Sequence, residues 1–226
     1  TDYSSYRAAS ADKARADSVL HELTTPRADI AGLKMDRPHL MGIVNVTPDS
    51  FSDGGVHLDS RKALAGARQM LADGASLVDI GGESTRPGAE PVAEQQELAR
   101  IMPVIEALAR DNSLISADTR RPAVMRRASA AGASFINDVS GFQDKMAIDA
   151  ARDSFLHSPG KFGVMAMHMQ GTPETMQDNP HYEFAPIDVF NALRDCRDRL
   201  EAAGIPRSHI ILDPGYGFGK TVAHNL

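Results

Sequence analysis

Asn45, Asp118, Asn137 and Asp213 each close a short apolar run, and His168 and the cluster Glu83–Pro87 follow two more. Two carboxylates and an amide converging on one ring-sized ligand would offer acceptors to adjacent N–H donors, such as an amino-pyrimidinone edge. Asn45 opens the polar segment Asn45-Val-Thr-Pro-Asp-Ser-Phe-Ser-Asp-Gly-Gly55, and its amide oxygen suits a hard cation or a phosphate. That segment, with Asp49, Phe51, Ser52 and Asp53, has the length and glycine content of a lid, against the plainer reading of a surface loop. In Asp79-Ile-Gly-Gly-Glu-Ser-Thr-Arg-Pro-Gly88 the hydroxyls stand beside Arg86, whose guanidinium matches an anion. The alternative is that Ser84 and Thr85 cap a turn while Arg86 pairs with Glu83. Asp118 also reads as a simple helix N-cap, and Asn137-Asp-Val-Ser-Gly141 as a turn.

Other patterns exclude chemistries. Asp213-Pro-Gly-Tyr-Gly-Phe-Gly-Lys-Thr221 resembles two phosphate loops and is neither. Pro214 occupies the first glycine of a P-loop, and Lys220 the third glycine of a dinucleotide fingerprint. What remains is a glycine loop presenting Phe218, as a stacking surface or as core. His168 reads as a satisfied core histidine, since no second His or Cys stands at ligand spacing. Met167 reads as pocket wall or core. Without a nucleophile elbow or a Cys–His signature, standard nucleophilic hydrolases are excluded.

Elements of alternating type must position these residues. The apolar runs Leu40–Val46, Ser76–Ile80, Leu114–Ala117, Ser134–Ile136, Gly163–Met167 and His209–Leu212 predict strands. Their nearly continuous apolar character fits strands covered on both faces. Helical periodicity runs over Ser60–Ala72 (after a cap at Asp59 or Ser60), Val92–Arg110, Pro122–Ala131 and Ile187–Ala203. The alternation implies an α/β fold of parallel βα units. Polar groups at six successive strand ends favour a TIM (β/α)8 barrel over a doubly wound sheet, which gathers ligands at one switch point. The last two βα units of such a barrel are absent from this sequence, which predicts an exposed backbone edge. Residues 1–30 read as an N-terminal tail or loosely packed extension, and 31–226 as the barrel domain.

Composition narrows the class. The 226 residues carry 24 Lys and Arg against 30 Asp and Glu, a net charge of −6, which argues against a nucleic-acid partner. A single cysteine, Cys196, fits a reducing, cytoplasmic setting. No apolar run nears the roughly 20 residues of a membrane helix, and no signal-peptide core stands at the N-terminus, which lacks an initiator Met. No membrane partner is expected.

Six ordered motifs resemble the dihydropteroate synthases of folate biosynthesis: MGIVNVTPDSFSDGG (Met41–Gly55), DIGGESTRPG (Asp79–Gly88), ADT (Ala117–Thr119), FINDVSG (Phe135–Gly141), MHMQGTPETMQ (Met167–Gln177) and ILDPGYGFGKT (Ile211–Thr221). The resemblance implies a TIM barrel that condenses 6-hydroxymethyl-7,8-dihydropterin diphosphate with p-aminobenzoate, giving dihydropteroate and diphosphate, with Mg²⁺ as cofactor. It implies that Asp213 and Asn137 grip the pterin edge with Asp118 near the ring, and that Val139, Met167 and Phe218 form apolar walls. Asn45 would hold the metal and diphosphate, and Thr85 and Arg86 would meet the diphosphate. The first loop would close with the second, which carries Pro87, to form the aminobenzoate site, the expected target of sulfonamides. Asp118 and Arg86 are the residues expected to act on the reacting atoms. The family's Ser-Arg-Lys and Arg-x-His motifs do not occur, so this chain is expected to be impaired as it stands, whether a fragment or a naturally short form. The usual homodimer contact belongs to the same missing region. A non-catalytic pterin-binding paralogue is the alternative, and a methyltetrahydrofolate–corrinoid methyltransferase a further one.

Overall fold

The computed structural model describes residues 4, 12–47, 55–84 and 91–226. A first helix, α1 (Lys13–Thr24), is capped by Asp12, whose carboxylate accepts from Arg15 N at 2.9 Å. The strands are β1 (Met41–Asn45), β2 (Leu77–Gly81), β3 (Ile115–Asp118), β4 (Phe135–Asp138), β5 (Gly163–Met167) and β6 (Ile210–Asp213). Between them run α2 (Gly55–Ala72), α3 (Glu94–Arg110), α4 (Pro122–Ala130), α5 (Lys145–His157) and α6 (Ala185–Ala202), with the short α7 (Val222–Asn225) last.

All strand pairs are parallel, and the sheet order is the chain order, β1 to β6. A doubly wound sheet reverses its order at a switch point. A strictly sequential order with a helix after each strand is instead the arc of a (β/α)8 barrel. Among the described residues β1 and β6 have partners on one side alone. Leu40 and Ile43 accordingly stand 72% and 64% exposed.

Alternation along each strand separates two layers. Val44, Ile80, Ala117, Ile136 and Val164 face the helices and pack with Ile101, Ile105, Leu108, Val124 and Ala150 in one buried core. The intervening residues face the barrel interior. Its floor is apolar, formed by Leu77, Phe135 and Met165, and plugged from below by Ile30 and Leu33, which pair across a small bridge. The expected domain boundary at 30/31 thus runs through a plug whose Ile30 and Ala31 are both buried.

Two expectations need correction. Helix α2 begins at Gly55 rather than at a cap on Asp59 or Ser60, and Ser60 Oγ donates to Arg100 O at 3.3 Å. Helix α5 was not anticipated. Its fully buried residues are Ala147, Ala150, Ala151 and Ser154, with Ile148 and Phe155 partly buried beside them, while the apolar Met146 and Leu156 are exposed and blur the stripe.

Candidate functional site

One register row carries most of the predicted residues. Asn45 pairs with Gly81, Gly81 with Asp118, and Asp118 with Asn137, so they stand side by side at the C-terminal ends of β1 to β4. A Cβ placed on Gly81 would lie 3.2 Å from Asp118 Oδ2 and 3.4 Å from Asn45 Oδ1. The missing side chain is what lets these two oxygens share the space above β2. Hard oxygen donors flanking an open cradle suit a small divalent cation that fills its shell with water and phosphate oxygens. No cluster of three or more His, Cys, Asp or Glu able to hold a metal occurs among the described residues.

Neither Asp118 nor Asn137 is spent on local structure. Helix α4 takes Arg121 as its N-cap, without a side-chain cap bond, so the capping alternative for Asp118 fails. Asp138 builds the turn after β4, accepting from Ser140 N, Ser140 Oγ and Phe142 N. Asn137 instead donates from Nδ2 to Oδ2 of Asp79, at 2.9 Å. Asp79 is 5% exposed. Its Oδ1 and the Oγ of its register neighbour Ser116 have no hydrogen-bond partner among the described residues. Burial pushes the Asp79 carboxyl up, while the nearby Ser116 hydroxyl and the Asn137 amide draw it partly back. Burial, then the charge of Asp79, hold Asp118 well above the usual carboxylate range.

The apolar wall forms as expected. Val139, Met167, Met169 and Met176 make a buried cluster against which Phe218 packs. Asp213 pairs in register with Met167 and is exposed, and its Oδ1 accepts from Gly215 N at 2.7 Å. It lies on the interior face, one step beyond the Asn137 row, since Met165 is the residue that pairs with both Asn137 and Ile211. The glycine loop is tied down by Lys220, whose buried Nζ donates to Gly215 O, Phe218 O and His168 O, and meets His168 Nδ1 at 3.1 Å. His168 is therefore a structural acceptor, and burial followed by the Lys220 charge lowers its pKa to about 4.

Thr85, Arg86 and Pro87, and Asp49, Phe51, Ser52 and Asp53, lie outside the described residues. At the edges of the segment carrying Thr85, Arg86 and Pro87 is a network that sequence reasoning missed. Arg121 donates to both Glu83 oxygens, at 2.9 and 3.1 Å, and also to Glu97 and to Val92 O. Glu83 also accepts from Val92 N and Arg120 Nε. Burial would raise the Glu83 carboxyl, but the Arg121 guanidinium and the Val92 N–H bring it below its usual value. The consecutive arginines after the Asp118 tip were the available signal. Clefts of about 410 Å³ beside β6 (Arg27, Ile30, Arg207, Ile211) and about 600 Å³ beside α1 (Val19, Leu23, Pro26) contain none of the strand-tip residues.

Comparison with known proteins follows the same pattern. The family model described as pterin binding enzyme matches residues 41–226. The dihydropteroate synthase of Escherichia coli K12 is 45% identical over 194 residues, 85% of this chain and 67% of that protein. The Yersinia pestis dihydropteroate synthase, solved with a sulfonamide drug complex, superposes with TM-score 0.78 at 47% identity, covering 88% of this chain and 71% of that one. The Xanthomonas albilineans dihydropteroate synthase, solved with 4-aminobenzoic acid, superposes with TM-score 0.78 at 47% identity, covering 89% and 71%.

Proposed function

The chain belongs to the pterin-binding enzyme family, among the dihydropteroate synthases, and from that premise we propose that it joins 6-hydroxymethyl-7,8-dihydropterin diphosphate to p-aminobenzoate, giving dihydropteroate and diphosphate. The observation that carries this reading is the row Asn45, Gly81, Asp118, Asn137 on one face of the sheet. Its oxygen donors would suit a metal-bound diphosphate beside acceptors for a pterin edge.

Asn137 and Asp213 hold the amino-pyrimidinone edge, and Val139, Met167 and Phe218 cover the ring faces. Asn45, with Asp118 beside it across Gly81, would hold Mg²⁺, and Thr85 and Arg86 would meet the diphosphate. Mg²⁺, when bound there, would supply positive charge that offsets the charge of the diphosphate. As the C–O bond to diphosphate breaks, positive charge develops on the pterin methylene, and the carboxylate of Asp118 stabilises it. The amine of p-aminobenzoate then forms the new C–N bond and loses its proton. No protein nucleophile takes part, so catalysis rests on positioning and charge. The aminobenzoate site belongs to the segments holding Asp49–Asp53 and Pro87, and sulfonamides would compete there. Among the described residues no helix is long and apolar enough to cross a membrane.

Release of diphosphate, measured with both substrates and with either omitted, tests the assignment, together with calorimetric titration by 6-hydroxymethylpterin. Slow release requiring both substrates is the expected result, in keeping with the impairment expected of this chain above. Pterin binding without release would leave a pterin-binding module, and neither binding nor release would overturn the reading altogether.

A further inference from the structure

Asp79 is expensive to keep. It is a carboxylate 5% exposed, with one oxygen lacking a hydrogen-bond partner among the described residues. A buried charge without good partners is destabilising compared with an apolar residue of similar size. Its one hydrogen bond of good geometry there is the 2.9 Å acceptance from Asn137 Nδ2. An amide side chain alone has no preferred order of its oxygen and nitrogen, because the two ends have nearly the same shape. A carboxylate partner removes that ambiguity.

We propose that Asp79 is a positioning residue that pins one amide hydrogen of Asn137, so that the amide presents its oxygen and remaining hydrogen in one fixed order. This rests on the pterin reading of the site. A 2-amino-4-oxopteridine offers a donor at its 2-amino group beside an acceptor at N1. A 2,4-dioxopteridine (lumazine) offers the reverse, an acceptor at position 2 beside a donor at N1. A pinned amide pairs with the first edge and leaves polar groups unpaired against the second, which is where strong discrimination arises. A proton on Asp79 does not undo this. Placed on the unpartnered Oδ1, it leaves Oδ2 an acceptor, consistent with the direction in which burial moves this carboxyl.

The test compares the affinities of pterin and lumazine for the chain and for Asp79→Asn, by calorimetry. Replacing the carboxylate by an amide lets Asn137 turn over, so the preference for pterin is expected to shrink by about tenfold or more. Equal losses for both pteridines, or an unchanged ratio, would mean a structural role and overturn the proposal. A parent chain that binds neither pteridine would instead overturn the pterin reading, and this proposal with it. Should Asp79→Asn fail to fold, the unliganded parent still decides. Its Asn137 side-chain amide protons, assigned by their loss in Asn137→Asp, should show one slowly exchanging member. Two rapidly exchanging protons would overturn the proposal.

Discussion

Arg121 and Glu83 form a two-pronged ion pair, Nη2 to Oε1 at 2.9 Å and Nη1 to Oε2 at 3.1 Å, across 38 positions of sequence. The same guanidinium donates to Val92 O, and Glu83 accepts from Val92 N. The two shoulders of the segment carrying Thr85, Arg86 and Pro87 are thereby held together by one side chain. Behind it, Glu97 is almost fully buried and is paired with Arg121 as well. Arg121→Met removes the counter-ion from that buried carboxylate. The expected loss is about 3–5 kcal/mol of stability, read from a urea melt. Arg121→Lys keeps the charge without the planar fork, and should fall between. A loss under about 1 kcal/mol for Arg121→Met would show that the network contributes little.

Gly81 lies between Asn45 Oδ1 and Asp118 Oδ2, and an added Cβ would stand 3.4 and 3.2 Å from them. Gly81→Ala is therefore expected to fold, since both neighbours are side-chain ends able to give way. Their displacement should lower kcat/KM about tenfold or more, with the steepest loss at limiting Mg²⁺. Steady-state kinetics over a Mg²⁺ series measure it. An unchanged Mg²⁺ dependence would remove the cradle from the metal site.

Much of this site was legible because its residues end apolar runs. Asn45, Asp118 and Asp213 are last in their strands, where backbone pairing continues one residue past the final apolar side chain. The runs Leu114–Ala117 and His209–Leu212 thus stopped a residue short of Asp118 and Asp213 and named those tips as loops, whereas Leu40–Val46 already enclosed Asn45. Asp79 was harder to read. It sits in mid-strand between Val78 and Ile80, and only the alternation that turns those two outward shows that it faces the interior with Gly81. Arg121 stood out as one of two consecutive arginines, but its partner did not. Nothing local ties it to Glu83, and the pairing exists only because β2 and β3 are neighbours in register. In α5 the fully buried positions are alanine and serine while the large apolar Met146 and Leu156 face solvent, so size and burial do not coincide along the helix.

His168 and Lys220 set a pH dependence. The neutral ring accepts at Nδ1 from the ammonium, and burial first, then that charge, lowers the histidine pKa from 6.5 to about 4. Between those values the unfolded chain binds a proton that the folded chain does not. Stability contributed by the neutral ring is therefore present above about pH 6.5 and lost as the pH falls toward 4. His168→Asn keeps an acceptor near Nδ1 and cannot titrate. Denaturant melts at pH 7 and pH 5 should differ less in this variant than in the parent, by roughly 1–2 kcal/mol after allowance for partial solvent exposure. An identical difference in both proteins would exclude His168 as the source.

Asp213 holds Gly215 through one carboxylate oxygen, which leaves the other for a ligand. Two functions on one side chain can be separated. Asp213→Asn retains an oxygen for Gly215 N but loses the negative charge, whereas Asp213→Ala loses both. Gly215 has φ +65° and is packed so closely on His168 O that a Cβ would lie 2.2 Å away. The loop carrying Phe218 therefore depends on that turn holding its shape. Asp213→Ala should weaken pterin binding by about 2–4 kcal/mol, because a charged acceptor for paired N–H donors is removed. Asp213→Asn should lose most of that affinity while melting close to the parent. Calorimetry with 6-hydroxymethylpterin, set beside thermal melts, distinguishes the roles. Were Asp213→Asn to bind pterin as the parent does, the carboxylate would be a turn-former alone, and the pterin edge would have to be read by Asn137 and Asp118.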